Sequence, residues 1–442
     1  MNSAVVSSPS SAVADSVASK VQRRVLPLLT LAWFVAYLDR FNVGFAGLQM
    51  NRELGLSTAA FGLGAGIFFL GYSVFEIPSN IVLARVGSRR WLGRIMVSWG
   101  LISMATMVTT GPKSFYGLRL LLGLAEAGCF PGMAYYLSQW LTPRERAAAL
   151  GTLGGAAMVS GIVGGPLAAA LMSLHHVWGL SGWQWLFLIE GLPAVILGLC
   201  VLKYLPEGPE HVAWLTPDER RWVRAHMASE LQVKSAWHSF VEVVSDMRYW
   251  TWSAAYFCAN FTGAAVRLFR PMILRDVTGM SNEMSALLTA VPGVVGAVAI
   301  VYVGRRATRK NEQAWHSSVP MMVAAVGMAM VGVTYGVAGA LLVSALAAVG
   351  GAAQPPLFAA ISSASKGSVN AVGIAFVSSV GTLGAFLGPV VVGQLIDSRG
   401  LAVACAVAAT AIALGACLVL MVRPAHREPA IPSSQSEPLS AS

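Results

Sequence analysis

Apolar residues along this chain come in runs of about twenty, separated by short stretches rich in Gly, Pro, Lys and Arg. The runs fall at 25–47, 59–84, 92–110, 115–137, 147–173, 184–204, 250–273, 284–303, 317–335, 339–360, 370–395 and 401–422. A helix of about 20 apolar residues crosses the ~30 Å hydrocarbon core of a bilayer. The pattern therefore predicts an all-α membrane protein with twelve transmembrane helices and both termini on one side. The runs divide six and six around a polar stretch, giving helical bundles over 25–205 and 250–422 and a linker over 206–249. The ends, 1–24 and 423–442, read as disordered tails. The first twenty residues are Ser/Ala-rich and lack the basic start and apolar core of a cleaved signal.

Two polar stretches carry helix-start signals. Thr216-Pro217-Asp218-Glu219 has a capping Thr, Pro at the first helical position and Glu at the third. It predicts an amphipathic helix within the linker. Thr142-Pro143-Arg144-Glu145 repeats the signal before the fifth span. The halves also resemble one another. VGSRRWLGR (86–94) matches VGRRATRK (303–310), and GGPLAAALMS (164–173) matches LGPVVVGQLIDS (387–398), at similar offsets. Two parallel six-helix repeats suit a transporter whose substrate site lies between them near the midplane.

Composition sharpens this picture. Of 442 residues 56% are hydrophobic and 11% charged, against about 25% charged in soluble domains. So much apolar surface needs lipid as its solvent. The net charge of +10 does not point to nucleic acid, because the basic residues are scattered through short loops rather than clustered on a face. Twenty-two of the 30 Lys and Arg residues fall on the side of the termini and four on the other. That asymmetry places both termini in the cytoplasm. Cys129, Cys200, Cys258, Cys405 and Cys417 lie in apolar runs and read as small core residues, not as a disulfide framework. No phosphate-binding GxxxxGK[ST] loop or GxSxG nucleophile elbow occurs. His175-His176 lacks a metal-ligand spacing partner, so no metal site or cofactor is expected.

Candidate chemistry sits in the spans, where ionisable groups cost several kcal/mol and need a reason. Asp39-Arg40 in span one offers a site for a proton beside a site for an anion; a purely structural buried pair is the competing reading. In span four Arg119 and Glu126 are seven residues apart and share a face. Arg suits planar recognition of a carboxylate. Glu126 sits among Gly, Ala and Leu, where binding a proton removes the cost of a buried charge. Gly123, Gly128 and Pro131 permit close approach and bending. The competing reading is an intrahelical bridge. Tyr72 and Glu76 in span two are one turn apart; Tyr72 can bond a substrate oxygen, and Glu76 suits pairing with the basic loop beyond it. Glu190 follows GWQWLFLI, whose Trp183 and Trp185 read as interfacial anchors. Arg267 and Arg270 in span seven either snorkel to headgroups or attract an anion.

At these residues the chain resembles the major facilitator superfamily and, within it, the anion:cation symporter family. YLDRFNVGFA, LGLSTAAFGLGAGIFFLGYSVFEIPSN, LRLLLGLAEAGCFPGMAYYLSQW and GLSGWQWLFLIEGLPA carry the resemblance. It implies the major facilitator fold and proton-coupled uptake of sugar acids, tartrate, phthalate or related carboxylates. It also implies Asp39 and Glu126 as proton-coupling carboxylates, and Arg40, Arg119 and Tyr72 as substrate contacts. The second half departs from the family pattern: AAVRLFRPMIL brings in Arg267 and Arg270, and Ser378 and Thr382 stand where asparagines are usual. Those two hydroxyls would shape the substrate site from the other half.

These readings converge on a secondary transporter importing an organic carboxylate with protons by alternating access. It is expected to act as a monomer in a bacterial inner membrane. An exchanger or uniporter of the same fold is the nearest alternative, and a membrane-embedded enzyme the alternative of another class.

Overall fold

The computed structural model describes residues 11–230, 236–332, 336–364 and 367–422. Helix α1 (Ser11–Arg24) precedes the first long helix, α2 (Leu26–Glu53). Then follow α3 (Thr58–Val86), α4 (Ser88–Ala105), a broken pair α5 (Pro112–Glu126) and α6 (Cys129–Trp140), α7 (Pro143–Met172) and α8 (Gly182–Tyr204). Helices α9 (Pro217–Glu230) and α10 (Ala236–Ser245) lead to α11 (Met247–Thr278). After it come α12 (Asn282–Leu288), α13 (Ala290–Lys310) and α14 (Ala314–Ala329). The described chain ends with α15 (Gly336–Val349), α16 (Gln354–Ala364), α17 (Gly367–Arg399) and α18 (Leu401–Met421). No strand occurs among the described residues.

Nine stretches among the described residues are long and apolar enough to cross a membrane. The other three expected spans fall on α2, α11 and α14. Asp39 and Arg40 lie inside α2, and Arg267 and Arg270 inside α11; α14 has only 16 residues before a 3-10 turn.

Both predicted helix starts form as capping boxes. The Thr142 amide and hydroxyl donate to Glu145 Oε2 at 3.0 and 2.7 Å. The Thr216 amide donates to Glu219 Oε2 at 2.7 Å, and the Glu219 amide donates to Thr216 Oγ1 at 3.3 Å.

Residues 11–24 correct the expectation of a disordered tail over 1–24; residues 1–10 and the tail 423–442 lie outside the described residues, as do Lys234 and Lys366 of the loops. Ala and Val alternate with Ser in this segment at helical spacing, so Val17 and Val21 share a face and are fully buried. On the next face Lys20 Nζ donates to both Glu219 oxygens at 2.8 and 2.7 Å, and Ser16 Oγ adds a bond of 2.7 Å. Burial works against the Glu219 charge. Hydrogen bonds from Lys20, Ser16 and the Thr216 backbone, with the Lys20 charge, nevertheless hold its carboxyl down to about 2. A depressed carboxyl stabilises the fold above its ordinary value of 4.5 and loses that contribution as pH falls towards about 2. Glu219→Gln is therefore expected to lower the melting temperature by a few degrees at pH 7. In thermal unfolding of the detergent-solubilised protein, the gap to wild type should close below pH 4.5.

Small residues seal the two halves together at the end opposite α1 and α9. Gly62 of α3 meets the Pro389 carbonyl of α17, and a Cβ on Gly66 would come to 2.7 Å of the Phe386 carbonyl. A Cβ on Gly44 of α2 would lie 2.9 Å from the Leu268 carbonyl of α11. On the far flank, one on Gly165 of α7 would lie 2.5 Å from the Ala286 carbonyl of α12. The two repeats matched in sequence, around Pro166 and Pro389, thus occupy corresponding seams. Asp397, near the end of α17, accepts from the amides of Thr58 and Ala59 at 3.2 and 2.7 Å, satisfying free donors at the start of α3. Arg275 Nη1 donates to the Leu48 carbonyl at 3.3 Å. At the opposite end α7 and α13 diverge and leave a cleft of about 710 Å³.

Two smaller readings change. Trp183 and Trp185 are buried inside the bundle, at 2% and 8% exposure, rather than standing at a lipid interface. Trp183 Nε1 donates to Glu53 Oε2 at 2.8 Å. Cys129, Cys258 and Cys405 are core residues, but Cys417 is exposed on the outer face of α18.

Candidate functional site

The break between α5 and α6 positions the central carboxylate. Ala127 leaves the helix and Gly128 takes a left-handed conformation with φ 85°. Side chains rarely accept that conformation, and a Cβ here would also meet Ser79 Oγ at 2.5 Å. Ser79 Oγ donates to the freed Ala127 carbonyl at 2.7 Å and accepts from Trp91 Nε1 at 3.0 Å. Irregular backbone at membrane depth needs such protein partners. Glu126 is thereby left as the last residue of α5 and fully buried. A carboxylate at the negative end of a helix dipole calls for a cation.

Arg40 of α2 supplies it. Its Nε donates to Glu126 Oε1 at 2.8 Å, and Nη2 lies 2.6 Å from the same oxygen but is not aimed along a hydrogen bond. Glu126 Oε2 has no donor among the described residues. Four rings surround the guanidinium: Trp33, Tyr37, Phe68 and Tyr72, at 5.4, 5.3, 5.9 and 5.0 Å from Cζ. Tyr72 thus flanks the cation with its ring. Glu76 lies within electrostatic reach of Arg40, on the cavity side rather than with the basic loop.

Asp39 turns the other way, as adjacent helical residues do. Its Oδ1 accepts from Ser103 Oγ of α4 and from Asn42 Nδ2 at 3.0 Å, while Oδ2 has no donor among the described residues. Glu190 of α8 is 4% exposed and lies beside Asp39 and Asn42. Arg119 is 2% exposed, with its guanidinium 4.8 Å over Phe68. It feels both Asp39 and Glu126 but makes no ion pair with either among the described contacts. Arg119 and Glu126 share α5, yet seven residues of rise separate them by about 10 Å. The close partner of Glu126 is Arg40 on another helix.

The other half contributes a second wall. Arg267 is solvent-exposed although it lies within electrostatic reach of Tyr37, Tyr256 and Arg40. The solvent it meets is therefore that of the space between the halves, not the headgroup layer. Arg270 is half-buried beside Arg267, with its Nε unpartnered. Tyr256 OH accepts from Gln354 Nε2 at 3.0 Å. Ser378 and Thr382 stand eleven and seven residues before Pro389 and so share the face of α17 that meets α3 further along. Thr382 Oγ1 donates back to the Ser378 carbonyl at 2.9 Å.

Sequence reasoning passed over Asn42, Ser103, Trp33, Tyr37, Tyr256 and Gln354. Asn42 is three residues from Asp39, and Tyr37 three from Arg40; helical spacing could have found both. Nothing local marks Ser103, Tyr256 or Gln354.

Comparison with known proteins bears on the family and the fold. The family profile of the Major Facilitator Superfamily matches residues 29–372. A putative tartrate transporter of Agrobacterium vitis is 41% identical over 386 residues, covering 87% of this chain and 89% of that protein. The putative metabolite transport protein NicT of Pseudomonas putida is 35% identical over 394 residues, covering 86% and 88%. A solved bacterial homologue of the human lysosomal transporter Spinster, inward-facing and unoccupied, superposes with a TM-score of 0.73 at 18% identity. That likeness covers 92% of this chain and 95% of the other.

Proposed function

Because this chain belongs to the Major Facilitator Superfamily, a family of multi-pass membrane transporters and not of enzymes, we propose that it imports an organic carboxylate with protons. The observation that carries this reading is the buried Arg40–Glu126 pair, with Arg119 and Arg267 close by and no carboxylate paired with either among the described contacts. An anion arriving between the halves meets two guanidinium groups, Arg119 and Arg267, that make no ion pair among the described contacts.

The cycle follows from charge balance. When Glu126 takes a proton, Arg40 loses its ionic partner and its fork is free for the substrate carboxylate. Asp39 does the same for the field at Arg119. Tyr72 flanks the occupied guanidinium, while Arg267, Arg270, Ser378 and Thr382 receive the substrate's far end. The halves then rock, and proton loss re-forms the Arg40–Glu126 pair and expels the anion. With both termini in the cytoplasm of a bacterial cell, as the Lys/Arg distribution supports, the glycine-sealed end faces outward and the conformation described here is open inward. A monomer suffices for this cycle.

Two guanidinium groups on each half, Arg40 and Arg119 on one and Arg267 and Arg270 on the other, suit a substrate with more than one oxygen-rich end. A tartrate-like acid, another sugar acid or an aromatic dicarboxylate such as phthalate fits. The putative tartrate transporter of Agrobacterium vitis supports the first of these.

Uptake of labelled tartrate, sugar acids and aromatic mono- and dicarboxylates into proteoliposomes tests the proposal. An inward proton gradient should drive one of them above equilibrium. A compound that only equilibrates, or that moves only against internal anion, would replace symport with uniport or exchange by the same site.

A further inference from the structure

The cleft between α7 and α13 lies away from the Arg40–Glu126 centre, and the cycle above gives none of its residues a role. The two helices cross where Gly293 packs on Gly161: a Cβ on Gly293 would lie 2.8 Å from the Gly161 carbonyl oxygen. From that crossing towards the end carrying α1 and α9 they diverge. Val159 and Ile162 of α7 face Val298 and Val301 of α13 across the gap, and Val159, Val298 and Val301 are 49%, 63% and 43% exposed. The mouth is entirely basic, lined by Arg305, Arg306, Arg309 and Lys310. Arg306 rests on Tyr302, its Nη1 3.2 Å from the phenol oxygen. Arg305, Arg309 and Lys310 are exposed and have no ion pair among the described contacts. The carboxylate just beyond them, Glu312, is already engaged by His316 at 2.7 Å and by the Trp315 amide at 2.8 Å.

We infer that this cleft holds one anionic phospholipid from the leaflet on the side of the termini, with an acyl chain between α7 and α13 and its headgroup on Arg305, Arg309 and Lys310. Length supports a lipid over a soluble anion. The twelve residues from Gly293 to Arg305 rise about 18 Å, close to the roughly 15 Å of one leaflet's hydrocarbon. A small carboxylate would leave the exposed valine walls uncovered. Apolar contact alone gives no preference among lipids, because every tail is as apolar as the wall. Selection therefore falls to the headgroup, where three free cations favour a net negative charge by roughly 100-fold. A lipid seated there also keeps α7 and α13 apart, which favours the conformation open at this end.

The test reads bound lipid and no transport, so it stands or falls apart from proton coupling. Full-length protein is extracted from membranes with equal phosphatidylglycerol and phosphatidylethanolamine, and retained lipids are weighed by native mass spectrometry. Wild type should keep phosphatidylglycerol over phosphatidylethanolamine by tenfold or more (a bound on the roughly 100-fold above). Arg305→Gln/Arg309→Gln/Lys310→Gln should reduce that ratio below about twofold, as expected once the three cations are gone. Val298→Trp, which fills the gap and leaves the charges, should lower phosphatidylglycerol retention about fivefold or more, as steric exclusion requires. Arg85→Gln/Arg90→Gln/Arg144→Gln removes equal charge from the same end of the other half and should leave the ratio unchanged. Equal loss in that control, or selectivity that survives the first triple variant, overturns the site. Unchanged retention in Val298→Trp, or displacement of the lipid by soluble glycerol phosphate, overturns the lipid as its occupant.

Discussion

Arg40→Gln is expected to reduce uptake by at least about 30-fold. Removing one partner of a buried, hydrogen-bonded charge pair typically costs about 2–5 kcal/mol, and each 1.36 kcal/mol is tenfold. The neutral amide loses the charge that answers Glu126 in the empty protein and the fork that would grip the substrate. Stability should fall as well, since Glu126 then sits fully buried without a cation. The double variant Arg40→Gln/Glu126→Gln separates the two losses. It should recover the melting temperature, because no uncompensated charge remains, and should not recover uptake. Arg40→Lys should fall between, because an ammonium keeps the charge without the planar fork that the four surrounding rings accommodate. Uptake restored in the double variant would mean that Arg40 serves the fold alone.

Under the proposed cycle, Glu126→Gln should convert a concentrative transporter into an equilibrating one. For each coupled proton, a gradient of about two pH units supplies about 2.7 kcal/mol, enough for roughly 100-fold accumulation. The amide cannot take up or release that proton. Arg40 is then permanently free of its ionic partner, so exchange of labelled for unlabelled substrate should persist at near wild-type affinity. The two assays, counterflow without a gradient and net uptake with one, must part company for the assignment to stand. Uphill accumulation retained by Glu126→Gln would move the coupling elsewhere, with the buried Asp39 and its neighbour Glu190 the groups to examine next.

How much of this was legible in the chain depends on distance along it. The apolar runs announce their helices because burial in lipid is set residue by residue. The two capping boxes are local as well, and both form. Asp39, Arg40, Arg119 and Glu126 stand out because charge inside an apolar run is rare. What the chain hides is who meets whom. Arg119 is the tempting partner for Glu126 because it shares the helix, but about 10 Å of rise lies between them. The break at Gly128 and the long side chain of Arg40 reaching over from α2 make that pair instead, from 86 residues away. Residues 11–24 mislead for a related reason. Their Ser/Ala composition favours disorder until α9 offers Glu219 to Lys20 and an apolar face to Val17 and Val21. Arg267 shows a third case: only the assembled halves reveal that its exposure is to the space between them.

The Asp397 clasp on Thr58 and Ala59 stands in solvent, so water can take over either side of it. A hydrogen bond to a charged group contributes about 1.5–3 kcal/mol net. The two bonds of the clasp thus add only a few kcal/mol to the glycine-packed seam beside them, and water competes for them each time the halves part. A door latched this way opens without a dedicated key. Its direction of traffic is then set by what waits on each side and not by tension wound into the hinge.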